Sequence, residues 1–291
     1  MSVRRSLAER LVLGAPWVWL AVFFLIPFLI VVKISLSQGA MSQPPYAPAF
    51  DLVEGWDAMV AKLGELSLAA YAGLADDWLY AQAYLSSLRM ALISTAVTLA
   101  VAYPMAYAMA RAPERLRPAL LLLAIAPFWT SFLIRVYAWI TILKDEGLLN
   151  HALLSLGIIS EPLRIFATDG AVVIGIVYSY LPFMVLPLYN AISRQPPELR
   201  EAAADLGASP AAAFWRITVP LSAPGILAGC LLVFIPAIGG SDTLMIGRTL
   251  WVEFFDNRDW PAASAVAVVL LGLLVAPMAL YERSQMAEPP P

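Results

Sequence analysis

One cysteine (Cys230) and one histidine (His151) are all that 291 residues hold of the two side chains that most often ligate transition metals and carry nucleophilic catalysis. A disulfide framework is thereby excluded, and a thiolate or imidazole metal centre, a Cys-His pair or a Ser-His-Asp triad lacks the residues it needs. Charge is scarce too, at 13% of residues with a net of −3, so no basic surface for nucleic acid is present. No Gly-x-x-x-x-Gly-Lys-[Ser/Thr] phosphate loop occurs, which leaves the chain without its own nucleotide-hydrolysing motif. What it has in abundance is apolar surface: 61% of residues are hydrophobic, a proportion that belongs in a bilayer.

Six apolar runs are long enough to cross about 30 Å of hydrocarbon at about 1.5 Å per residue. They cover 11–32, 90–110, 118–143 (interrupted by Arg135), 170–193, 217–241 and 260–281. Such runs lack the alternation of barrel strands, and only helices satisfy every backbone group in lipid. The fold class that follows is an all-α integral membrane bundle of six spans. The first run has a basic flank (Arg4, Arg5, Arg10) but exceeds a signal peptide in length and lacks a small-residue cleavage site, so it reads as an uncleaved span.

Orientation follows from arginine. With a cytoplasmic N-terminus the inner segments carry ten arginines against seven acids, and the outer segments are acidic. The positive-inside rule then places both termini in the cytoplasm, with most weight on the short 111–117 connection (Arg111, Arg115, Arg117). The chain divides into 1–85 (tail, first span and an outer segment over 33–85), a core of five spans over 86–283, and a proline-ended tail over 284–291, which reads as disordered. Within the outer segment, Trp56 to Leu85 has helical patterning.

The polar interruption between the fourth and fifth spans has the clearest local grammar. Pro196-Pro197 stops the preceding span, and Glu198 to Leu206 offers good helix formers with acids in the first turn. Gly207 is placed to end that helix, Ser209 with Pro210 starts another, and Pro220 terminates or kinks it. Ala202, Ala203 and Ala204 keep one surface low, while Glu198, Arg200, Glu201 and Asp205 give polar register. On amphipathicity alone the segment could also be an interfacial helix.

Glu201-Ala202-Ala203, Gly207, Ile217 and Pro220 in this order resemble the EAA loop of binding-protein-dependent ABC importer permeases. The resemblance implies a type I permease fold. It also makes the short helix a coupling helix docked on a cytoplasmic ATPase, with Glu201, Ala202, Ala203, Asp205, Leu206 and Gly207 at that contact. No cofactor is expected on the chain itself; ATP and Mg would sit on the partner ATPase. A narrower likeness, to polyamine permeases and chiefly the putrescine type, rests on Pro16-Trp17-Val18-Trp19-Leu20, Val32 to Leu36, Pro127 to Trp139, Tyr180 to Tyr189 and Asn257 to Pro261. It implies a second permease subunit, an ATPase dimer, a periplasmic substrate-binding protein and a polyamine substrate. The chain departs from this family after Gly239, where an apolar segment is missing and Gly239-Gly240-Ser241 closes directly onto Asp242.

A dication requires carboxylates for its ammonium ends and aromatic faces for cation–π contact. Pathway candidates are Trp129, Tyr137 and Trp139 on the third span, Tyr178 and Tyr180 on the fourth, and Asp242, Glu253, Asp256 and Asp259 near the outer face. The bland alternatives are interface anchors for the aromatics and a solvated exterior for the acids. Arg135 would repel a cation, so it reads as structural, paired with a carboxylate or with carbonyls freed by Pro127 or Pro182, or as snorkelling to the interface. The function expected is ATP-driven import of polyamines by alternating access in a bacterial inner membrane. The alternatives are an ABC permease for another amine or ferric ion, and an ion-coupled secondary carrier, which should show an inverted repeat and buried intramembrane acids.

Overall fold

The computed structural model describes residues 7–50, 55–240 and 245–286, so Asp242, the shortened junction after Gly240 and the last five residues of the tail lie outside it. Four helices are long and apolar enough to cross a membrane unbroken: Gly14–Ser35, Trp78–Arg111, Asp169–Ser193 and Trp260–Ala279. Two bent pairs, Arg117–Trp129 with Phe132–Ser155 and Pro210–Leu221 with Ala223–Ile238, complete six spans when each pair is taken as one.

The second span begins earlier than hydropathy predicts. Gln82, Ser86, Ser87 and Arg89 dilute the apolar signal, yet Tyr80, Ala83 and Tyr84 recur at helical spacing and pack into a small core, which draws residues 78–89 into one 34-residue helix. At about 1.5 Å per residue it is roughly 51 Å long, more than hydrocarbon alone requires. The outer segment is correspondingly shorter than 33–85 and contains the helices Trp56–Leu63 and Ala69–Asp76. The last helix continues to Met286, three residues into the expected tail.

Each bend has a local cause. In the third span Pro127 lies in a tight turn over Ala126–Trp129, Thr130 and Ser131 turn extended, and the helix resumes at 87°. In the fifth, Pro220 and Pro224 flank Ser222, and the axis turns by 64° there rather than at Pro220 itself.

Two compact units emerge, residues 1–85 with 243–276 and residues 86–242 with 277–291. In the first, Ala83, Ile246 and Val266 form the core, and Gln38–Gly39 pairs antiparallel with Tyr46–Ala47. In the second, Ala102, Ala106, Met184, Val185, Leu188 and Val233 are buried together. Without a hydrophobic drive between helices in lipid, close approach comes from small residues. Gly225 and Gly229, one helical turn apart, supply it: a Cβ on Gly225 would lie 2.5 Å from the Ala191 Cβ and 2.7 Å from the Pro187 carbonyl, and one on Gly229 would lie 2.6 Å from the Met184 sulfur.

Candidate functional site

The helix Glu198–Asp205 stands between the fourth span and the Pro210–Leu221 segment, with Glu198 and Glu201 in its first turn, where the helix dipole favours them. Its end is a full Schellman closure. Gly207 N donates to the Ala204 carbonyl and Ala208 N to the Ala203 carbonyl, both at 2.9 Å, with Gly207 at φ +80°. Ser209 Oγ then accepts from Ala212 N at 3.2 Å and starts the next helix with Pro210 in its first turn. The turn presents Leu206 at 89% exposure, an apolar knob between two polar elements. Ala202, Ala204, Glu201 and Asp205 are exposed as well, but Ala203 is buried, so it faces the bundle instead of offering a low surface to a partner.

The residues flanking this helix are tied to one another and to the spans at three points. Phe214 wedges edge-on between Tyr103 (5.6 Å) and Tyr107 (5.2 Å) of the second span. Gln195 Nε2 donates to the Thr218 carbonyl at 3.0 Å, and the Tyr103 and Ser222 hydroxyls lie 2.9 Å apart at the fifth-span bend. These contacts join the segment that follows the short helix to the second span, the end of the fourth and the fifth-span bend. Tyr103 and Tyr107 sit at i, i+4, the signal that could have pointed to this socket, yet only the fold identifies Phe214 as its plug.

Among the aromatic candidates, Trp139 and Tyr178 meet at 5.3 Å. Tyr180 joins a different chain of rings through Phe183 (6.0 Å) to Phe128 (5.0 Å), neither of which the sequence singled out. Trp129 and Tyr137 are largely exposed and join neither group. Arg135 lies 5.2 Å from the Phe128 centroid and 5.9 Å from that of Phe132, with buried Nε and Nη1 that have no hydrogen-bond partner. It is thus held by ring faces on both sides of the third-span elbow, and neither the carboxylate nor the carbonyls expected of it are engaged by those two nitrogens.

The outer acids have separate duties. Glu253 accepts from the Tyr80 hydroxyl and from Asn257 Nδ2, both at 2.9 Å. Asp259 caps the last span by accepting from Ala262 N at 3.0 Å, while Asp256 stays exposed. Nearby, the Tyr46 and Trp260 rings lie 6.0 Å apart and Trp260 stacks on Phe254 at 5.0 Å. Among the described residues no group of three or more His, Cys, Asp or Glu could hold a metal ion.

Residues 101–285 match the family model described as "Binding-protein-dependent transport system inner membrane component". The chain belongs to that family. It is 37% identical over 293 residues to the spermidine/putrescine transport system permease protein PotB of Haemophilus influenzae, covering 98% of this chain and 96% of that protein. It is 43% identical over 237 residues to PotB of Escherichia coli K12, covering 78% and 86% respectively. The solved structure of a bacterial ABC transporter involved in import of the acidic polysaccharide alginate is similar over 95% of this chain and 96% of its own, with TM-score 0.62 and 17% identity. That likeness is one of fold: a type I ABC importer permease.

The short helix, its Schellman turn and Phe214 follow one another along the chain between the fourth and fifth spans. The ring clusters and the outer acids form two further groups, one in each compact unit.

Proposed function

We propose that this chain is the permease subunit of a polyamine ABC importer, with putrescine among its substrates, and that ATP is hydrolysed on a separate cytoplasmic ATPase dimer that holds ATP and Mg. The observation that carries the reading is the likeness to PotB along almost the whole chain. The helix Glu198–Asp205 is the attachment point for the ATPase: Leu206 seats in the partner, Glu201 and Asp205 set register, and the Schellman turn fixes the knob's angle. A periplasmic binding protein delivers substrate on the opposite face, a second permease completes the pathway, and both termini are cytoplasmic.

The chain's own contribution is positional. ATPase closure moves the short helix, and the Phe214, Gln195 and Ser222 ties pass that movement to three spans, opening the bundle outward. Substrate ammonium groups meet ring faces at Trp139, Tyr178 and Tyr180, and the exposed Asp256 steers them at the mouth. Glu253 and Asp259, already engaged within the chain, hold the outer wall in shape.

Uptake of labelled putrescine into vesicles carrying the complete transporter tests this. Glu201→Lys reverses charge at the contact and Gly207→Asp forces a side chain into a positive-φ position, so both should reduce uptake at least about tenfold. Uptake that neither substitution changes sinks the coupling role, and transport insensitive to excess unlabelled polyamine sinks the substrate.

A further inference from the structure

Three arginines converge where the second and third spans meet the short helix. Arg111 ends the second span, Arg117 opens the third and Arg200 lies on the helix Glu198–Asp205. With Glu201, Ala110, Pro197 and Ala204 they line an open cleft of about 520 Å³. Two of the three guanidiniums are pre-positioned from within the chain. Arg111 lies 4.2 Å from the Tyr107 ring centroid, and Arg117 Nε donates to the Ala112 carbonyl at 2.9 Å. Among the described residues the four charged side chains form no ion pair with one another, so three positive charges face one negative one across the cleft.

We propose that this cleft binds the phosphodiester headgroup of an anionic phospholipid of the inner leaflet. The site lies at the depth where apolar spans end, the level of headgroups, and guanidinium forks match phosphate oxygens in geometry and charge. The first turn of Arg117–Ile125 adds the positive end of a helix dipole. Small walls at Ala110 and Ala204 leave room for a glycerol head group. Because Arg200 and Glu201 belong to the coupling element, a bound lipid bridges that element to the ends of two spans and braces it in the membrane plane. The inference rests on the reading above that this end of the bundle is cytoplasmic and meets the ATPase.

The test is native mass spectrometry of the purified complete transporter titrated with palmitoyl-oleoyl phosphatidylglycerol, with phosphatidylcholine as the zwitterionic control. Wild type should retain phosphatidylglycerol preferentially, and Arg117→Gln with Arg200→Gln should lower retention about tenfold, whereas Arg216→Gln, outside the cleft, should not. Arg111→Gln alone, at an exposed position, should lower it about threefold. Equal retention in the double and single cleft variants and wild type overturns the proposal, as does equal retention of phosphatidylcholine. Saturation by inorganic phosphate without lipid overturns the lipid as source. Retention by the isolated chain that vanishes in the assembled complex assigns the cleft to acidic residues of the ATPase instead. Co-purification of the ATPase in the same preparations reports on the coupling reading independently of the lipid count.

Discussion

Arg135 is the residue whose chemistry departs furthest from what its neighbours in sequence suggest. Buried guanidinium N–H groups without acceptors cost about 1–3 kcal/mol each, against about 0.5–2 kcal/mol returned by cation–π contact with a ring. The two terms leave the side chain close to neutral or unfavourable in this conformation. Replacing it with Met keeps the stem packed between Phe128 and Phe132 and removes the unpaired donors. Arg135→Met should therefore leave the thermal midpoint of the purified complex unchanged or raise it by a few degrees, at about 2–4 °C per kcal/mol. A clear fall would mean that assembly gives those nitrogens an acceptor which the single chain lacks. From sequence, a carboxylate, freed carbonyls or snorkelling to the interface are the expectations for Arg135; the neighbours found are the rings of Phe128 and Phe132. Only the elbow between Trp129 and Phe132 brings residues on either side of it to the same guanidinium.

At the scale of elements, the close contact of the fourth and fifth spans and the socket of Phe214 make separable demands. Gly225 faces the Ala191 methyl and, at 2.7 Å, the Pro187 carbonyl, whereas the nearest atom to Gly229 is the Met184 sulfur, with Met184 backbone farther off at 3.3 Å. An added methyl at Gly225 meets backbone at 2.7 Å and has to separate two helices, while one at Gly229 has to displace a thioether and then meets the Met184 carbonyl only at 3.3 Å. Gly225→Ala should cost about 1–3 kcal/mol and lower the midpoint more than Gly229→Ala does; the reverse order in a melting series would contradict the packing. Phe214→Ala removes the two edge-on ring contacts to the second span, each worth about 0.5–1.5 kcal/mol, along with one to the adjacent Trp215, from the joint and not from the spans. ATP hydrolysis by the complex should persist while putrescine uptake per ATP falls severalfold; an unchanged ratio would mean that Phe214 transmits nothing. The start and stop of the short helix and the cap of the next were legible because Pro197, Gly207 and Ser209 each act on nearby backbone. The socket was not, because it joins Phe214 to residues more than a hundred positions away.

At the scale of the whole molecule, span number and helical class could be read from run length, since lipid leaves a chain few alternatives. Span shape could not, because hydropathy averages over the 87° and 64° bends and over the polar face of residues 78–89. What the spans do not cover is as telling as what they do. In the first span only 6% of its most apolar window is buried, against 39% in the second, and Trp17, Trp19, Phe23 and Phe24 are exposed together. Lipid on every side and a second permease along one side both satisfy so apolar a helix, but they differ in symmetry. A photo-crosslinker carried in turn at positions 15–27 distinguishes them, with Cys230→Ser removing the chain's one native thiol so that attachment is specific. If the first span clasps the partner subunit, cross-linking yield should rise and fall with a period of about 3.6 residues and peak on one face. If the helix meets lipid alone, yield to protein should stay at background at every position. Trp19 and Phe23 lie four residues apart, with ring centroids 4.1 Å from each other, and their shared face is the one on which the maximum should fall.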